Sequence, residues 1–457
     1  MLKISLIGAG SGCFSMGLVR ELCASKHLSG STVSLMDINK ERLDAVYELC
    51  LRYTREIGGR LRFEKTMDRA ESLKGADFII NTALTAPHRR LIDGWEIADK
   101  YGFRFGGSYH IKYDEAFWVN FYQFRFFEEL TRDILTHCPK AWHLMVANPV
   151  ISGTTLIQRK YPEAKMVGLC HGYTHAYYLA EQLGYKREDF TFQMSGPNHF
   201  VWLHSGHLKD RDFFGVLDER TENNGEDDGN AMPLDKIRLD FYRRHGVIGI
   251  GDTLGWTGAC WPWFYHSDDE TEKEFAGYKP MDAWNGYFYH VNKNAEDIIA
   301  LSKDPDRSVS EFLGALNSDE LMVPLVESLA CNIPRTMFVN ILNRGGLIAG
   351  IPEDFSVEAL AICQKDEVLP VKADPLPRPI QAYILRDRVA PVEMELEAYR
   401  TGRMDYLEEL VLMDKWATSI RQVRGFINEI LDMPYHREMK EYYSDLRRND
   451  ANKKRVI

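Results

Sequence analysis

The sequence predicts an α/β fold, with a doubly wound parallel sheet followed by a second, α+β domain. Through about the first 170 residues, short β-branched runs alternate with segments of helical periodicity, which is typical of strands buried between two layers of helices. A glycine-rich turn follows the first run, and helices dominate the later part of the chain. Because 457 residues exceed the size at which one hydrophobic core usually divides, we expect an N-terminal domain over residues 1–196 and a C-terminal domain over residues 197–457.

The order of elements follows from these patterns. Apolar, β-branched runs predict strands over Lys3–Ile7, Thr32–Met36, Phe78–Asn81, His143–Val146 and Lys165–Leu169. Apolar residues at helical spacing predict helices over Lys40–Tyr53 and Glu115–Thr136. Further along, the patterns predict an extended segment over Phe190–His204, an acidic surface loop over Asp218–Asn230, strands over Met337–Leu342 and Val357–Cys363, and three helices between Ile380 and Tyr443.

Charge and composition disfavour several classes of protein. With 56 Lys and Arg against 67 Asp and Glu, the formal net charge is −11, so we expect no nucleic-acid partner. The start of the sequence lacks the pattern of a secretory signal, and no apolar run reaches the roughly 20 residues that span a bilayer. We therefore expect a cytoplasmic protein with no membrane partner, in which the eight scattered cysteines are free thiols.

The turn Gly8-Ala9-Gly10-Ser11 joins the first strand to a helical segment. Glycines here let a pyrophosphate approach backbone N–H groups at a helix N-terminus, so Gly8, Gly10 and Ser11 are candidate NAD-binding residues. Asp37 ends the second strand, where a carboxylate can bind the adenosine ribose and favours NAD over NADP. The alternatives are a plain turn at the glycines and a helix N-cap at Asp37.

Further polar residues follow later strands. Asn148 lies just after the strand His143–Val146, where ligands bind in doubly wound sheets, and is a candidate contact for the nicotinamide ribose and a substrate hydroxyl. The dipeptide Asn148-Pro149 alone equally predicts a plain turn. Cys170 follows the next strand, and His199 lies in an apolar segment. A thiolate and an imidazole at one sheet edge could hold a divalent metal, whereas the alternative is a buried cysteine and a core histidine.

Several short motifs occur in a fixed order along the chain. They are Gly8-Ala9-Gly10-Ser11, Asn148-Pro149, Cys170-His171-Gly172, Gly196-Pro197-Asn198-His199 with Trp202, Gly251-Asp252 and Asn343-Arg344-Gly345. Together they resemble glycoside hydrolase family 4, the NAD- and divalent-metal-dependent glycosidases. The resemblance implies a Rossmann-like first domain and a second domain similar to the C-terminal domain of lactate and malate dehydrogenases.

The resemblance also implies a mechanism that departs from the usual carboxylate pair of glycosidases. NAD⁺ takes a hydride from carbon 3 of the sugar, a base removes the proton on carbon 2, the aglycone is eliminated, water adds and the hydride returns. A divalent metal, Mn²⁺ or another ion, polarises the ketone. Cys170 and His199 match the metal ligands, Asn148 matches the substrate-binding asparagine, and Asn198 is a further candidate for substrate binding.

The acid and the base are also assigned from the resemblance. His171 occupies the position where some members carry the acid that protonates the leaving oxygen, and a histidine can do this near neutral pH. Phosphoglucosidase members use a tyrosine as base in the region that corresponds to Gly249–His266. Here the first candidate in that region is Asp252, and Tyr265 is the second.

The triplet Cys170-His171-Gly172 resembles that of the α-glucuronidase-like and α-galacturonidase-like branch, which predicts an α-glucuronide or α-galacturonide as substrate. A uronic acid needs a cation for its carboxylate, best a bidentate arginine. The available arginines are Arg89, Arg90, Arg335 and Arg344, of which Arg335 is our candidate. The alternative for each is a surface or structural role. We further expect a homo-oligomer, a dimer or a tetramer.

Two rival functions use the same nucleotide loop. One is an NAD-dependent 2-hydroxy-acid dehydrogenase, and the other is a non-enzymatic NAD(H)-responsive binding protein. Neither gives Cys170 and His199 a role. Loss of activity with a chelator and recovery with Mn²⁺ would distinguish the glycosidase from both.

Overall fold

The structure is a computed structural model that describes residues 1–223, 234–255, 261–275, 279–314 and 319–444. Its strands are β1 (Lys3–Ile7), β2 (Thr32–Met36), β3 (Arg62–Thr66), β4 (Phe78–Asn81), β5 (Trp142–Met145), β6 (Met166–Gly168), β7 (Phe190–Ser195), β8 (Val201–Leu208), β9 (Arg211–Asp212), β10 (Ile248–Ile250), β11 (Arg335–Leu342), β12 (Ser356–Gln364) and β13 (Glu367–Pro370).

The helices alternate with the strands in the first half of the chain and dominate the second. They are α1 (Cys13–Ala24), α2 (Lys40–Glu56), α3 (Arg69–Leu73), α4 (His88–Lys100), α5 (Phe117–His137), α6 (Val150–Lys160), α7 (Thr174–Gln182), α8 (Phe213–Asn223), α9 (Lys236–His245), α10 (Asp269–Phe275), α11 (Pro280–Lys303), α12 (Val309–Leu313), α13 (Met322–Cys331), α14 (Arg378–Ile384), α15 (Ala390–Thr401), α16 (Met404–Leu412), α17 (Ile420–Leu431) and α18 (Arg437–Ser444).

The main sheet confirms the predicted doubly wound fold. Strands β1 to β6 are parallel in the spatial order β3-β2-β1-β4-β5-β6, which is the usual order of a dinucleotide-binding sheet. The sheet then continues with β11, β12 and β13, which are antiparallel to their neighbours. The complete sheet is therefore mixed and contains strands from both sides of the predicted domain boundary. That boundary, at residue 196, stays a prediction.

Strand β3 is absent from the predicted elements because its composition is not that of a buried strand. Its sequence, RFEKT, is mostly polar and contains no buried residue. As the outer strand beside β2 it has one unpaired edge, and charged side chains are typical of such edges. The central strands β1 and β4, by contrast, are buried almost throughout and were predicted correctly.

The predicted extended segment Phe190–His204 is in fact a hairpin, in which β7 and β8 pair antiparallel. The chain reverses over residues 196–200 because Gly196 permits a very close approach. A Cβ at Gly196 would lie 2.2 Å from the carbonyl oxygen of Phe200. Strands β9 and β10 pair with β8 and complete a second, smaller sheet.

Two other expectations need correction. Residues 218–223 of the predicted acidic loop belong to helix α8, while residues 224–230 lie outside the described residues. The C-terminal region contains α14 to α18 rather than three helices, and one turn of π-helix, Leu385–Val389, joins α14 to α15. The segments on either side of each short break are helical, so the sequence pattern did not separate the five helices. The aromatic face of α5 packs against this helical region in the largest hydrophobic core.

No helix in the part of the chain that the structure describes combines the length and apolar character needed to cross a membrane. The cytoplasmic location and the oligomeric state stay predictions. The six cysteines with described side chains are all free thiols, which agrees with the expectation from the sequence; they are Cys23, Cys50, Cys138, Cys170, Cys331 and Cys363.

Candidate active site

The turn after β1 has the geometry of a nucleotide-binding loop. Gly8 has a φ of 91°, and a Cβ there would lie 2.7 Å from the backbone nitrogen of Ala83. The N–H of Gly10 donates to Asp37 Oδ2 at 2.7 Å. Helix α2 is capped by Asn39 and not by Asp37. The loop, the Asp37 carboxylate and the start of α1 thus meet at the carboxyl ends of β1 and β2, where dinucleotides bind in sheets of this order.

We expect Gly10→Ala to weaken NAD⁺ binding at least about tenfold, or ~1.4 kcal/mol. A Cβ at Gly10 would lie 2.8 Å from Cγ of Asp37, so the carboxylate or the loop must move. Titration calorimetry with NAD⁺ measures the effect. Gly17→Ala is the matched control, because a Cβ at this position in α1 meets no atom within 4 Å. Equal NAD⁺ affinities for the two variants would contradict the prediction.

A cavity of about 450 Å³ lies at the carboxyl ends of the central parallel strands. Five residues that the sequence predicts for the site line it, namely Ser11, Asn148, Cys170, His171 and His199. Trp284, Tyr287 and Phe288 of α11 line it from the second half of the chain. The cavity therefore joins the nucleotide loop to the cysteine and histidine motifs. A larger cleft of about 1150 Å³, between α5, α6 and α15, contains none of these residues.

His199 lies in the turn between β7 and β8 and has a φ of 57°, which is uncommon for a residue other than glycine. Its Nδ1 lies 2.9 Å from Glu115 Oε1, and its Nε2 lies 3.6 Å from Asp252 Oδ2. Burial lowers the pKa of His199, but hydrogen bonds with Cys170 and Glu115 outweigh burial and raise it well above its usual value. The Cys170 thiol and the His199 ring are thus direct neighbours.

This set of donor atoms fits a divalent cation. A cysteine sulfur and an imidazole nitrogen bind transition metals, and carboxylates nearby add hard oxygen ligands. In addition, Asp114, Glu115 and His199 each place one ligand atom within 4.8 Å of the others. Cys170 and His199, whose side chains are in contact, could hold the cation.

A buried ion pair between Arg388 and Glu115 lies on the Nδ1 side of His199. Neither residue was a candidate from the sequence. Nη2 of Arg388 lies 3.3 Å from Glu115 Oε1, and both side chains are 0% exposed. The Arg388 guanidinium also lies 3.5 Å from the ring centre of Tyr109. Burial raises the pKa of Glu115, but the charges of Arg388 and His199 outweigh burial and lower it to about 2. A carboxylate on the second nitrogen of a metal-binding imidazole fixes the ring orientation, so Glu115 and Arg388 position His199.

We expect Arg388→Met to weaken Mn²⁺ binding by about 10- to 100-fold, the usual range for loss of a group that orients a metal ligand. The NAD⁺ dissociation constant should not change, because Arg388 does not line the cavity. Electron paramagnetic resonance of free Mn²⁺ gives the Mn²⁺ dissociation constant, and calorimetry gives the NAD⁺ dissociation constant. Arg89→Met is the control, since Arg89 is exposed and pairs with Asp93 on α4. Unchanged Mn²⁺ affinity in Arg388→Met would show that the ion pair does not position His199.

Asp252 follows β10 in a loop that approaches the loop after β6. Gly251 has a φ of 58°, and a Cβ there would lie 3.0 Å from Cα of Gly172. The Asp252 side chain is 33% exposed. The hydroxyl of Tyr113 donates to Asp252 Oδ2 at 3.2 Å and lies 3.1 Å from His199 Nδ1. The Asp252 carboxylate is therefore next to the His199 ring and still accessible from solvent.

Asp114 and Asn148 meet on the wall of the cavity. Nδ2 of Asn148 donates to Asp114 Oδ2 at 2.8 Å, which fixes the orientation of both side chains. Burial raises the pKa of Asp114 above its usual value. Asp114, Glu115 and Tyr113 all lie in the loop before α5, which begins at Phe117 and not at Glu115 as the helical spacing predicted. Their signal in the sequence is an acidic pair within an aromatic stretch.

His171 lies at the mouth of the cavity, where its side chain is 69% exposed. Its Nδ1 lies 3.3 Å from Glu320 Oε1, and this contact raises the pKa of His171 to about 9. The imidazole can therefore carry a proton at neutral pH, in a position open to a departing group.

Asp252, which lies beside His199, is not itself among the residues that line the cavity, and three further residues predicted for catalysis or substrate binding also lie away from its wall. The hydroxyl of buried Tyr265 donates to Asp240. Asn198 is fully buried and its Nδ2 donates to Glu358 Oε2 at 3.0 Å. Arg335 donates to Glu327 on α13. The other arginines considered for a sugar carboxylate, Arg89, Arg90 and Arg344, are also absent from the described cavity wall.

The fold and this site define an enzyme of the dinucleotide-binding α/β class. The chain belongs to the family 4 glycosyl hydrolases: the model of the "Family 4 glycosyl hydrolase" domain matches residues 3–184, and that of the "Family 4 glycosyl hydrolase C-terminal domain" matches residues 194–417. The family that the motifs indicated is thereby confirmed, and the protein is a glycosidase. Neither rival function is supported.

Relatives of different specificity match nearly the whole chain. An α-glucosidase of Erwinia rhapontici is 26% identical over 94% of this chain and 97% of its own length. An α-galacturonidase of Thermoanaerobacterium saccharolyticum is 22% identical over 94% of this chain and 95% of its own length.

Solved structures confirm the predicted fold. The 6-phospho-β-glucosidase of Thermotoga maritima, solved with manganese, NAD⁺ and glucose-6-phosphate, has a TM-score of 0.75 at 17% identity and covers 96% of this chain and 99% of its own. A malate dehydrogenase of Plasmodium falciparum has a TM-score of 0.51 at 15% identity, over 88% of this chain and 99% of its own.

Proposed function

We propose that this protein hydrolyses α-glycosides, with NAD⁺ and a divalent cation such as Mn²⁺ as cofactors. The observation that carries the proposal is the contact of His199 with both Cys170 and Asp252, beside a cavity that reaches Ser11 of the nucleotide loop. Family membership supports it, as does the Thermotoga structure with manganese and NAD⁺. When bound, NAD⁺ supplies a hydride acceptor and the cation a Lewis acid.

The protein's own residues have distinct tasks in this proposal. Cys170 and His199 Nε2 hold the cation, since Nδ1 of the ring is occupied by Glu115. Asn148, whose amide is held by Asp114, orients a sugar hydroxyl at the end of β5. The loop at Gly8 and Gly10, together with Asp37, holds the dinucleotide.

Proton transfers fall to two side chains. Asp252 is the base that takes the proton from carbon 2, because its carboxylate adjoins the metal-binding ring and remains partly exposed. Tyr113 donates to Asp252 and restricts its orientation. His171 protonates the leaving oxygen, since it lies at the cavity mouth with Glu320 at its Nδ1. Tyr265 is not proposed as the base, because its hydroxyl donates to Asp240, whereas the Asp252 carboxylate lies next to His199.

Isotope exchange tests this proposal. Turnover of a nitrophenyl α-glycoside should require both NAD⁺ and Mn²⁺, cease with a chelator, and release no stoichiometric NADH. In deuterium oxide, the released sugar should carry deuterium at carbon 2, because the proton there is removed and replaced. A product without deuterium at carbon 2, or NADH formed in proportion to substrate, would overturn the proposed mechanism.

The choice of sugar is a further part of the proposal, and two classes have support from the motifs and the relatives. The Cys170-His171-Gly172 triplet favours a uronide, and the relative named α-galacturonidase supports that interpretation. The relative named α-glucosidase, 26% identical, supports a neutral hexoside. Because these relatives cover the chain equally, the choice depends on the chemistry of the cavity wall.

A further inference from the structure

The cavity wall carries groups that distinguish a neutral sugar from a charged one. Resting on the proposed α-glycosidase function, we propose that the sugar bound beside Cys170 and His199 is a neutral hexose, and neither a uronic acid nor a sugar phosphate. Asp114 is the specificity-determining residue, and it accepts a hydrogen bond from a hydroxyl of that sugar.

One carboxylate oxygen of Asp114, Oδ1, has no hydrogen-bond donor among the described residues. Its Oδ2 accepts from Asn148 Nδ2 at 2.8 Å, whereas its Oδ1 is buried and has no hydrogen-bond partner among the described residues. Buried polar atoms are nearly always paired, so a ligand that donates to this oxygen gains a hydrogen bond that the protein alone does not make. Because Asp114 lines the cavity, a sugar hydroxyl can supply the donor. Neutral and charged sugars both carry such hydroxyls, so this contact orients the sugar, and the charge of the wall distinguishes the two classes.

The charges around the cavity point to the same class of ligand. Asp114 and Glu320 line the cavity, and Asp252 lies beside His199. Among the described residues the wall contains histidines but neither lysine nor arginine. Of the stretches outside the description, 224–233, 256–260, 276–278 and 315–318 contain neither residue in their sequences, whereas 445–457 contains both. His171 at the cavity mouth is already paired with Glu320, so a sugar carboxylate in this cavity would lose its hydration without gaining a basic clamp from the described wall.

Several basic side chains that could be considered for a sugar carboxylate already have anionic partners. Arg388 is fully buried against Glu115, and Lys112 lies 2.6 Å from Asp99. Arg335, the arginine selected from the sequence, bonds Glu327. Freeing any of these cations for a sugar carboxylate would leave its present partner uncompensated, which is costly for a buried pair. The structure therefore favours a neutral hexoside over the uronide that the triplet predicts.

A substrate panel tests the proposal. The kcat/KM values of 4-nitrophenyl α-glucoside and α-galactoside are compared with those of the α-glucuronide, the α-galacturonide and the 6-phospho-α-glucoside, with NAD⁺, Mn²⁺ and a reductant present. We expect at least one neutral glycoside to exceed every charged one by about 100-fold, or ~2.7 kcal/mol. A charged glycoside with the highest kcat/KM would overturn this inference but leave the proposed function intact. Hydrolysis of none of them would overturn the proposed function and this inference with it.

Two further measurements isolate the role of Asp114. Asp114→Asn should lower kcat/KM for the preferred neutral glycoside at least tenfold and reduce its advantage over the matching uronide, while the NAD⁺ dissociation constant stays constant. Glu129→Gln, a carboxylate-to-amide change on the exposed surface of α5, should leave the whole profile unchanged. In calorimetry, the wild-type protein loaded with NAD⁺ and Mn²⁺ should bind glucose or galactose more tightly than the corresponding uronic acids. An unchanged neutral-to-uronide ratio in Asp114→Asn, or tighter binding of a uronic acid, would contradict the proposal.

Discussion

Cys170→Ser should lower kcat/KM for the α-glycoside by at least about a thousandfold, or ~4 kcal/mol of transition-state stabilisation. A cysteine sulfur is a good ligand for a transition metal, whereas a serine hydroxyl is a poor one. The variant should retain its NAD⁺ affinity, because the nucleotide loop lies at the ends of other strands. Steady-state kinetics at saturating Mn²⁺ and calorimetry with NAD⁺ measure the two effects.

Cys331→Ser is the matched control for this experiment. Cys331 is a partly exposed free cysteine at the end of α13 and does not line the cavity. Its replacement should leave kcat/KM and Mn²⁺ affinity unchanged within about twofold, since surface substitutions usually have small effects. If Cys170→Ser behaved in the same way, Cys170 would not be a metal ligand.

Asp252→Asn should slow exchange of the carbon-2 proton by about 10²- to 10⁴-fold, the usual contribution of a general base. Oxidation at carbon 3 precedes this step in the proposed mechanism, so a single turnover should still reduce NAD⁺ to NADH, which then accumulates on the protein. Proton NMR in deuterium oxide follows the exchange, and absorbance at 340 nm follows NADH. Slow exchange together with rapid NAD⁺ reduction would identify Asp252 as the base.

Tyr265→Phe supplies the comparison, because Tyr265 is the other base considered from the sequence. Its hydroxyl is held by Asp240, and its ring packs on Phe264 and Phe275 away from the cavity wall. We expect exchange at nearly the wild-type rate in this variant. Loss of exchange in Tyr265→Phe, with rapid exchange in Asp252→Asn, would transfer the role to Tyr265.

The part of the site that lies at the ends of parallel strands could be predicted from the sequence. Gly8, Asp37, Asn148 and Cys170 each follow a buried strand of the parallel sheet, and a sheet of this kind brings such positions to one edge. This rule needs only the order of strands along the chain. His199 was selected by the family pattern rather than by this rule, and the structure places it in a hairpin turn.

Contacts between distant segments could not be predicted in this way. Glu115 and Arg388 are separated by 273 residues and meet only because the π-helical turn Leu385–Val389 packs beside the loop before α5. Neither residue follows a strand, and each would be interpreted from sequence alone as an exposed charge. Their contact depends on the packing of the two halves of the chain, which no local pattern contains.

The antiparallel extension of the main sheet has a consequence for the synthesis of the protein. Strand β6 pairs with β11 through Gly168 and Asn340, so its outer edge has no neighbour until about 170 more residues have left the ribosome. At roughly 5–20 residues per second, that interval lasts on the order of 10–30 s. An open strand edge of this kind is a template for pairing with another chain. We therefore expect a fragment that ends near residue 196 to aggregate.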